Sequence, residues 1–188
     1  MMYAVPTRPL LASLLTSLLL LFIAATPAKA LPVRDHLTEQ EADLVREAQQ
    51  LDKRTAIFIR AIERRLLAMT DPSAATSKQV QKETEKWGEL PKGTRAELLG
   101  DIAKILDEAI TNIEDVSEHD ENNPLIAKAL RLLSAASTRF IAQLTPMRDG
   151  AKEGERDSLE QALESAQSVI AAANKLPPET VKEKKKKS

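Results

Sequence analysis

Apolar residues along most of this chain recur at steps of three and four, the spacing that puts them on one face of an α-helix. The first stripe reads Leu44, Ala48, Leu51, Phe58, Ile62, Leu66 and Met69, with Thr55 filling one place and Val45 and Ile59 widening it. Thr38 followed by Glu41 is a capping-box pattern, in which hydroxyl and carboxylate each take a backbone N–H that the first turn leaves free. Leu37 and Ala42 flank it at the positions of a hydrophobic staple. Asp71-Pro72 closes the stripe, because the residue before proline is pushed out of the α region. The pattern predicts one helix over 38–69, about 48 Å long at about 1.5 Å per residue. It would overhang the later helices by roughly three turns. Acids gather at its start (Glu39, Glu41, Asp43, Glu47) and bases at its end (Arg60, Arg64, Arg65), an order that complements the helix dipole.

Residues 73–90 carry a weaker pattern. Val80 and Trp87 stand among Lys78, Lys82, Glu83, Glu85 and Lys86, which predicts a short amphipathic crossover helix closed by Gly88 and Pro91. A second capping box, Thr94 with Glu97, opens a helix whose face reads Leu98, Ile102, Ile105, Ala109, Ile113 and Val116. It fades into the acidic stretch Ser117-Glu118-His119-Asp120-Glu121. Asn123-Pro124 then supplies an N-cap with proline at the first helical position, where its missing N–H is no loss. That helix carries Leu125, Ile126, Ala129, Leu130, Leu133, Ala136, Phe140, Ile141 and Leu144, and Pro146 and Gly150 end it. The last stripe, within 151–174, is Leu159, Ala162, Leu163, Ala166, Val169, Ile170 and Ala173, stopped by Leu176-Pro177-Pro178. Period-two alternation is absent. The expected fold class is all-α: an antiparallel helical bundle of about four long helices plus a short crossover helix. Short connections favour antiparallel neighbours and an up-down order.

The N-terminus reads as an address. Arg8 precedes an uncharged, Leu-rich stretch from Leu10 to Ala25, and Pro27 precedes Ala28-Lys29-Ala30. Small residues at both ends of that triplet fit signal-peptidase cleavage after Ala30. The stretch is about 16 residues against the roughly 20 needed to cross a bilayer, so cleavage is preferred over retention as a membrane tether. The expected organisation is a cleaved signal peptide over 1–30, a single helical domain over 31–178 and a disordered lysine-rich tail over 179–188. Export to the periplasm is the preferred destination, with full secretion as the alternative.

Cleavage changes the charge balance. Loss of Arg8 and Lys29 leaves 25 bases against 28 acids, a net of −3. The tail from Glu179 onward is at +3, with Lys182 and the run Lys184, Lys185, Lys186 and Lys187, so the body is at −6. A basic tail on an acidic body suits weak attachment to an anionic lipid or cell-wall polymer, at about 1 kcal/mol per lysine. Export argues against nucleic acid as the partner.

Composition excludes much chemistry. With 0 Cys there is no disulfide, thiolate metal site or cysteine nucleophile. With 2 His, a three-histidine zinc site within one chain is impossible. The two histidines sit beside carboxylates, in Asp35-His36 and Glu118-His119-Asp120-Glu121, and imidazole with carboxylate suits zinc, nickel or copper. His36, His119 and Asp120 are therefore the candidate metal ligands, against the plainer reading of exposed loop residues. No cofactor is expected: Cys-x-x-Cys-His is absent, and Met69, Met147 and both histidines lie near helix ends. No Gly-x-Ser-x-Gly elbow occurs, and small bundles seldom offer a catalytic cleft. Lys53, Arg54, Arg60, Arg64 and Arg65 read as a charged solvent face, with some arginines paired to neighbouring helices.

Leu37-Thr38-Glu39-Gln40-Glu41 and Leu144-Thr145-Pro146-Met147-Arg148 resemble the two Leu-Thr-x-x-Gln motifs of periplasmic stress chaperones of the Spy/CpxP type. Both depart from the motif, with Glu41 and Arg148 where Gln is expected, and the likeness covers ten residues. The resemblance implies a small exported helical chaperone. The reading from the residues themselves is an exported, non-enzymatic interaction or scaffold protein of the cell envelope, its partner another envelope protein or a second copy met through helices. A stress chaperone or metal-responsive protein is the alternative.

Overall fold

The structure is a computed structural model that describes residues 35–178. The signal segment, its cleavage point and the lysine tail lie outside the described residues. Among those residues every regular element is helical. Six α-helices pack against one another: α1 (Glu39–Glu47), α2 (Leu51–Thr70), α3 (Lys78–Trp87), α4 (Arg95–His119), α5 (Pro124–Leu144) and α6 (Glu153–Ala173). Short 3-10 turns occupy Pro72–Thr76 and Thr145–Met147. No described helix is long and apolar enough to cross a membrane.

The expected caps form. Thr38 accepts from the Glu41 N–H while the Glu41 carboxylate accepts from the Thr38 N–H, and Thr94 and Glu97 repeat the arrangement. Asn123 caps α5 ahead of Pro124. A cap satisfies backbone donors that the first turn cannot.

The single helix expected over 38–69 is two helices. The break falls at Ala48–Gln50, where Ala48 (ψ 98°) and Gln50 (ψ 135°) are extended. Neither glycine nor proline lies there. The cause is tertiary: α1 folds back along α2, so that Glu41 reaches Arg64 and Arg65, while Arg54 of α2 donates to the freed Ala48 carbonyl at 3.2 and 3.3 Å. The overhang disappears with the long helix, since α2 has 20 residues and α5 and α6 have 21 each.

The core is assembled from the expected stripes. Phe58, Ile62 and Leu66 of α2 share one cluster with Leu99, Ile102, Ile105 and Leu106 of α4, Leu133 and Phe140 of α5, and Leu159 and Leu163 of α6. Alanines 61, 103, 109, 129, 136, 162 and 166 are buried between them and allow close approach of the backbones. Thr55 holds its core place by donating its hydroxyl to the Leu51 carbonyl at 2.9 Å.

The pairing of helices departs from a simple up-down order. Arg54 meets Asn112 and Arg65 faces Asp101, so α2 and α4 run antiparallel. Asp52 meets Lys128 and Glu63 meets Arg139, so α2 and α5 run parallel. α6 packs against α4 and α5, as α2 does, while α4 and α5 meet only sparsely despite their short connection. Burial explains this: both α4 and α5 need cover on two sides, and α2 and α6 supply it from opposite flanks.

Candidate functional site

Two charged arrangements stand out. The first is interior. Glu41 is fully buried, and Arg64 and Arg65 are 1% exposed. Arg65 grips the carboxylate in a fork, Nη1 to Oε1 at 3.0 Å and Nη2 to Oε2 at 2.8 Å, and Arg64 Nε donates to Oε1 at 3.2 Å. Arg64 Nη2 also donates to the carbonyls of Trp87, Gly88 and Glu89, and Arg65 Nη2 to that of His36. One carboxylate and two guanidiniums thus tie the first residues of the described chain, α1, α2 and the end of α3 into a knot. Asp101 of α4 sits 3.6 Å from Arg65 Nε. The Arg64 guanidinium lies 5.8 Å from the Trp87 ring centre, a cation–π distance. Burial pushes the Arg64 pKa down, and Glu41 opposes it. The knot corrects the reading of Arg64 and Arg65 as solvent face. Arg60 does lie near the surface, paired with Glu63 and Glu83.

The second arrangement lies where α4 ends, α5 begins and α6 ends. An open groove of about 330 Å³ is lined chiefly by Ile110, Ile113, Ile126, Leu130 and Val169, with Glu114, Ser117 and Ser168 on its walls. Glu114 is on its wall, and Asp115, Glu118, Asp120 and Glu121 follow it at that end of α4; all five are exposed. None of these five carboxylates takes part in an ion pair among the described residues. Arg131, next to Leu130, donates to the Pro177 carbonyl at 2.6 Å. That bond fixes the point where the chain leaves α6 for the lysine tail. A larger cavity, about 630 Å³, sits at the other end of α2, among Ala68, Asp71, Val80, Thr84, Pro91 and Leu98.

The candidate metal ligands are placed apart. His36 is held by Glu108 of α4 (Nε2 to Oε2, 2.7 Å) and by Asp35 (3.3 Å). His119 closes α4 with Nδ1 2.7 Å from the Asp115 carbonyl, and Asp120 is the C-cap beside it. Eleven residues of helix separate Glu108 from His119, about 16 Å at the helical rise. Among the described residues no three His, Asp or Glu side chains form a group suited to a metal ion. The tail lysines 184–187 lie outside the described residues. The Asp52 carboxylate, 3% exposed, is paired with Lys128 at 2.5 Å. The Lys128 hydrogen bond holds its pKa below the ordinary aspartate value against the opposing effect of burial.

Comparison with protein families, with curated proteins and with solved structures gives no match. The two Leu-Thr steps also differ in conformation. Thr38 is an extended N-cap (φ −72°, ψ 161°), whereas Thr145 is helical (φ −54°, ψ −46°) at the end of α5. Sequence reasoning missed the knot because its partners lie 23 and 24 positions apart. Adjacent arginines followed by no nearby acid were the available clue.

Proposed function

We propose that this chain is an exported, non-enzymatic interaction module of the cell envelope. Its core is a four-helix bundle of two antiparallel hairpins, α2 with α4 and α5 with α6. The lysine tail attaches it to anionic surfaces. The observation that carries this reading is the fixed exit of the tail: the Arg131–Pro177 bond starts it at one end of an acidic body. From Pro178 to Lys184 is six residues, roughly 20 Å of extended chain. That exceeds two Debye lengths at physiological salt, about 8 Å each. The lysines can therefore meet an anionic surface while the body's own acids are screened from it. At about 1 kcal/mol each, four lysines give weak, reversible and salt-sensitive attachment.

The test is co-sedimentation of the chain from residue 31 onward with phosphatidylglycerol-containing vesicles and with neutral phosphatidylcholine vesicles. Binding to the anionic vesicles alone is expected, falling at high salt and lost when Lys184, Lys185, Lys186 and Lys187 are all changed to Glu. Equal binding to both vesicle types, or full binding by the charge-reversed variant, overturns the reading.

A further inference from the structure

The apolar groove where α4 ends, α5 begins and α6 ends is open, and the chain itself supplies an occupant of matching chemistry. We propose that, in the absence of an anionic surface, segment 179–188 folds back onto its own body, with Val181 seated in the groove and its lysines against Glu114 and the other carboxylates at the end of α4.

Three observations converge on this segment. The first is position. Leu130 lines the groove and its neighbour Arg131 holds the Pro177 carbonyl. Ala172, six residues before Pro178, lines the groove too, so the tail starts within a short length of chain from it. Val181 follows Pro178 by three residues, about 10 Å of extended chain, which keeps it at this end of the body, since α2 with its 20 residues is about 30 Å long. The second is charge. Glu114 lines the groove, and Asp115, Glu118, Asp120 and Glu121 surround that end of α4 with no ion pair among the described residues. Residues 182–187 carry five lysines and one glutamate. The third is the alternation of chemistry along the tail, a single apolar residue and then the basic run, which suits an apolar groove with Glu114 on its wall and further acids beyond it at the end of α4.

The tether makes the match effective. A short tether gives an effective concentration in the millimolar range, so contacts too weak to hold a free peptide hold this one. Burial of one Val side chain and exposed ion pairs that low salt strengthens are each weak alone, and they act together on one tethered segment. This contact is separate from surface attachment: it describes the chain alone in solution, and its test contains no vesicles.

The chain has 0 Cys, which allows a disulfide-capture experiment on the full chain. Ser168 is exposed and lines the groove, while its neighbour Gln167 is exposed on another face of α6. Two double variants, Ser168→Cys with Val181→Cys and Gln167→Cys with Val181→Cys, share nearly the same tether and differ in facing. Oxidised at about 20 mM salt, the Ser168 pair is expected to close its intramolecular disulfide at least about tenfold faster than the Gln167 pair. That advantage is expected to shrink toward none at about 500 mM salt or when Glu114→Gln and Glu118→Gln are added. Trp87 emission checks that every variant is folded. Equal closure by both pairs overturns the proposal, as does an advantage indifferent to salt and to the Glu changes. Disulfide-linked dimers that increase with protein concentration also overturn it, by assigning the groove to the tail of a second copy.

Discussion

Glu41 serves two masters, the N-cap of α1 and the paired guanidiniums of α2, and the second depends on its charge while the first needs only an acceptor oxygen. Removing one partner of a buried ion pair leaves the other uncompensated, at a cost of about 3–5 kcal/mol. Glu41→Gln preserves shape and strands Arg64 and Arg65, so a loss of that size is expected in urea unfolding followed by Trp87 fluorescence. A loss below about 1 kcal/mol, the scale of an exposed pair, would show that the knot is not sealed from water. Asp52 allows a pH test. Its folded pKa is depressed, so its contribution is complete above the unfolded carboxyl's value of about 3.9. It is lost as pH falls through the lower folded value. Lys128→Met removes the hydrogen bond and leaves burial to push the carboxyl up, so acid unfolding read by circular dichroism is expected to begin at higher pH. At this scale the sequence was a poor guide to Arg64 and Arg65. Helix periodicity sorts apolar from polar positions, and it carries no information about a carboxylate 23 residues away.

Elements were more legible where their limits are chemical and local. Thr38 with Glu41, Thr94 with Glu97, and Asn123 before Pro124 mark three helix starts that the structure repeats. The break at Ala48–Gln50 was hidden, since its cause is the return of α1 along α2 and not a breaker in the chain. Gly88 is the opposite case, a local signal with a distant purpose. It ends α3 at φ +68°, ψ −172°, a conformation that residues with a Cβ rarely adopt, and its carbonyl is one of the three that Arg64 holds. A Cβ there would stand 3.0 Å from the Gln40 side chain, whose flexible end can yield, so the backbone strain sets the cost. Gly88→Ala is expected to lose about 1–3 kcal/mol, with exposure of Trp87 as the marker that the end of α3 has left its seat. Unchanged stability would mean that the turn re-forms with another φ.

For the whole molecule, the all-helical class was plain from period and the absence of alternation, while the helix order was not. A short link between α4 and α5 suggested close neighbours, yet each is covered chiefly by α2 and α6. Sequence stripes show which face is buried and leave open which helix buries it. That arrangement has a consequence for cutting the chain. Residues before the Asp120–Asn123 connection hold the α2–α4 hairpin, and those after it hold the α5–α6 hairpin. Every contact of α2 with α5 and of α4 with α6 crosses the divide. Opened within that connection, the chain becomes a split protein whose halves each expose one apolar face shaped by the other. Co-expressed as 31–121 and 122–188, the halves are expected to co-purify as an equimolar pair with the helical content of the intact chain. Two halves that stay apart would mean that the connection itself, and not the interlocking of the hairpins, holds the molecule together.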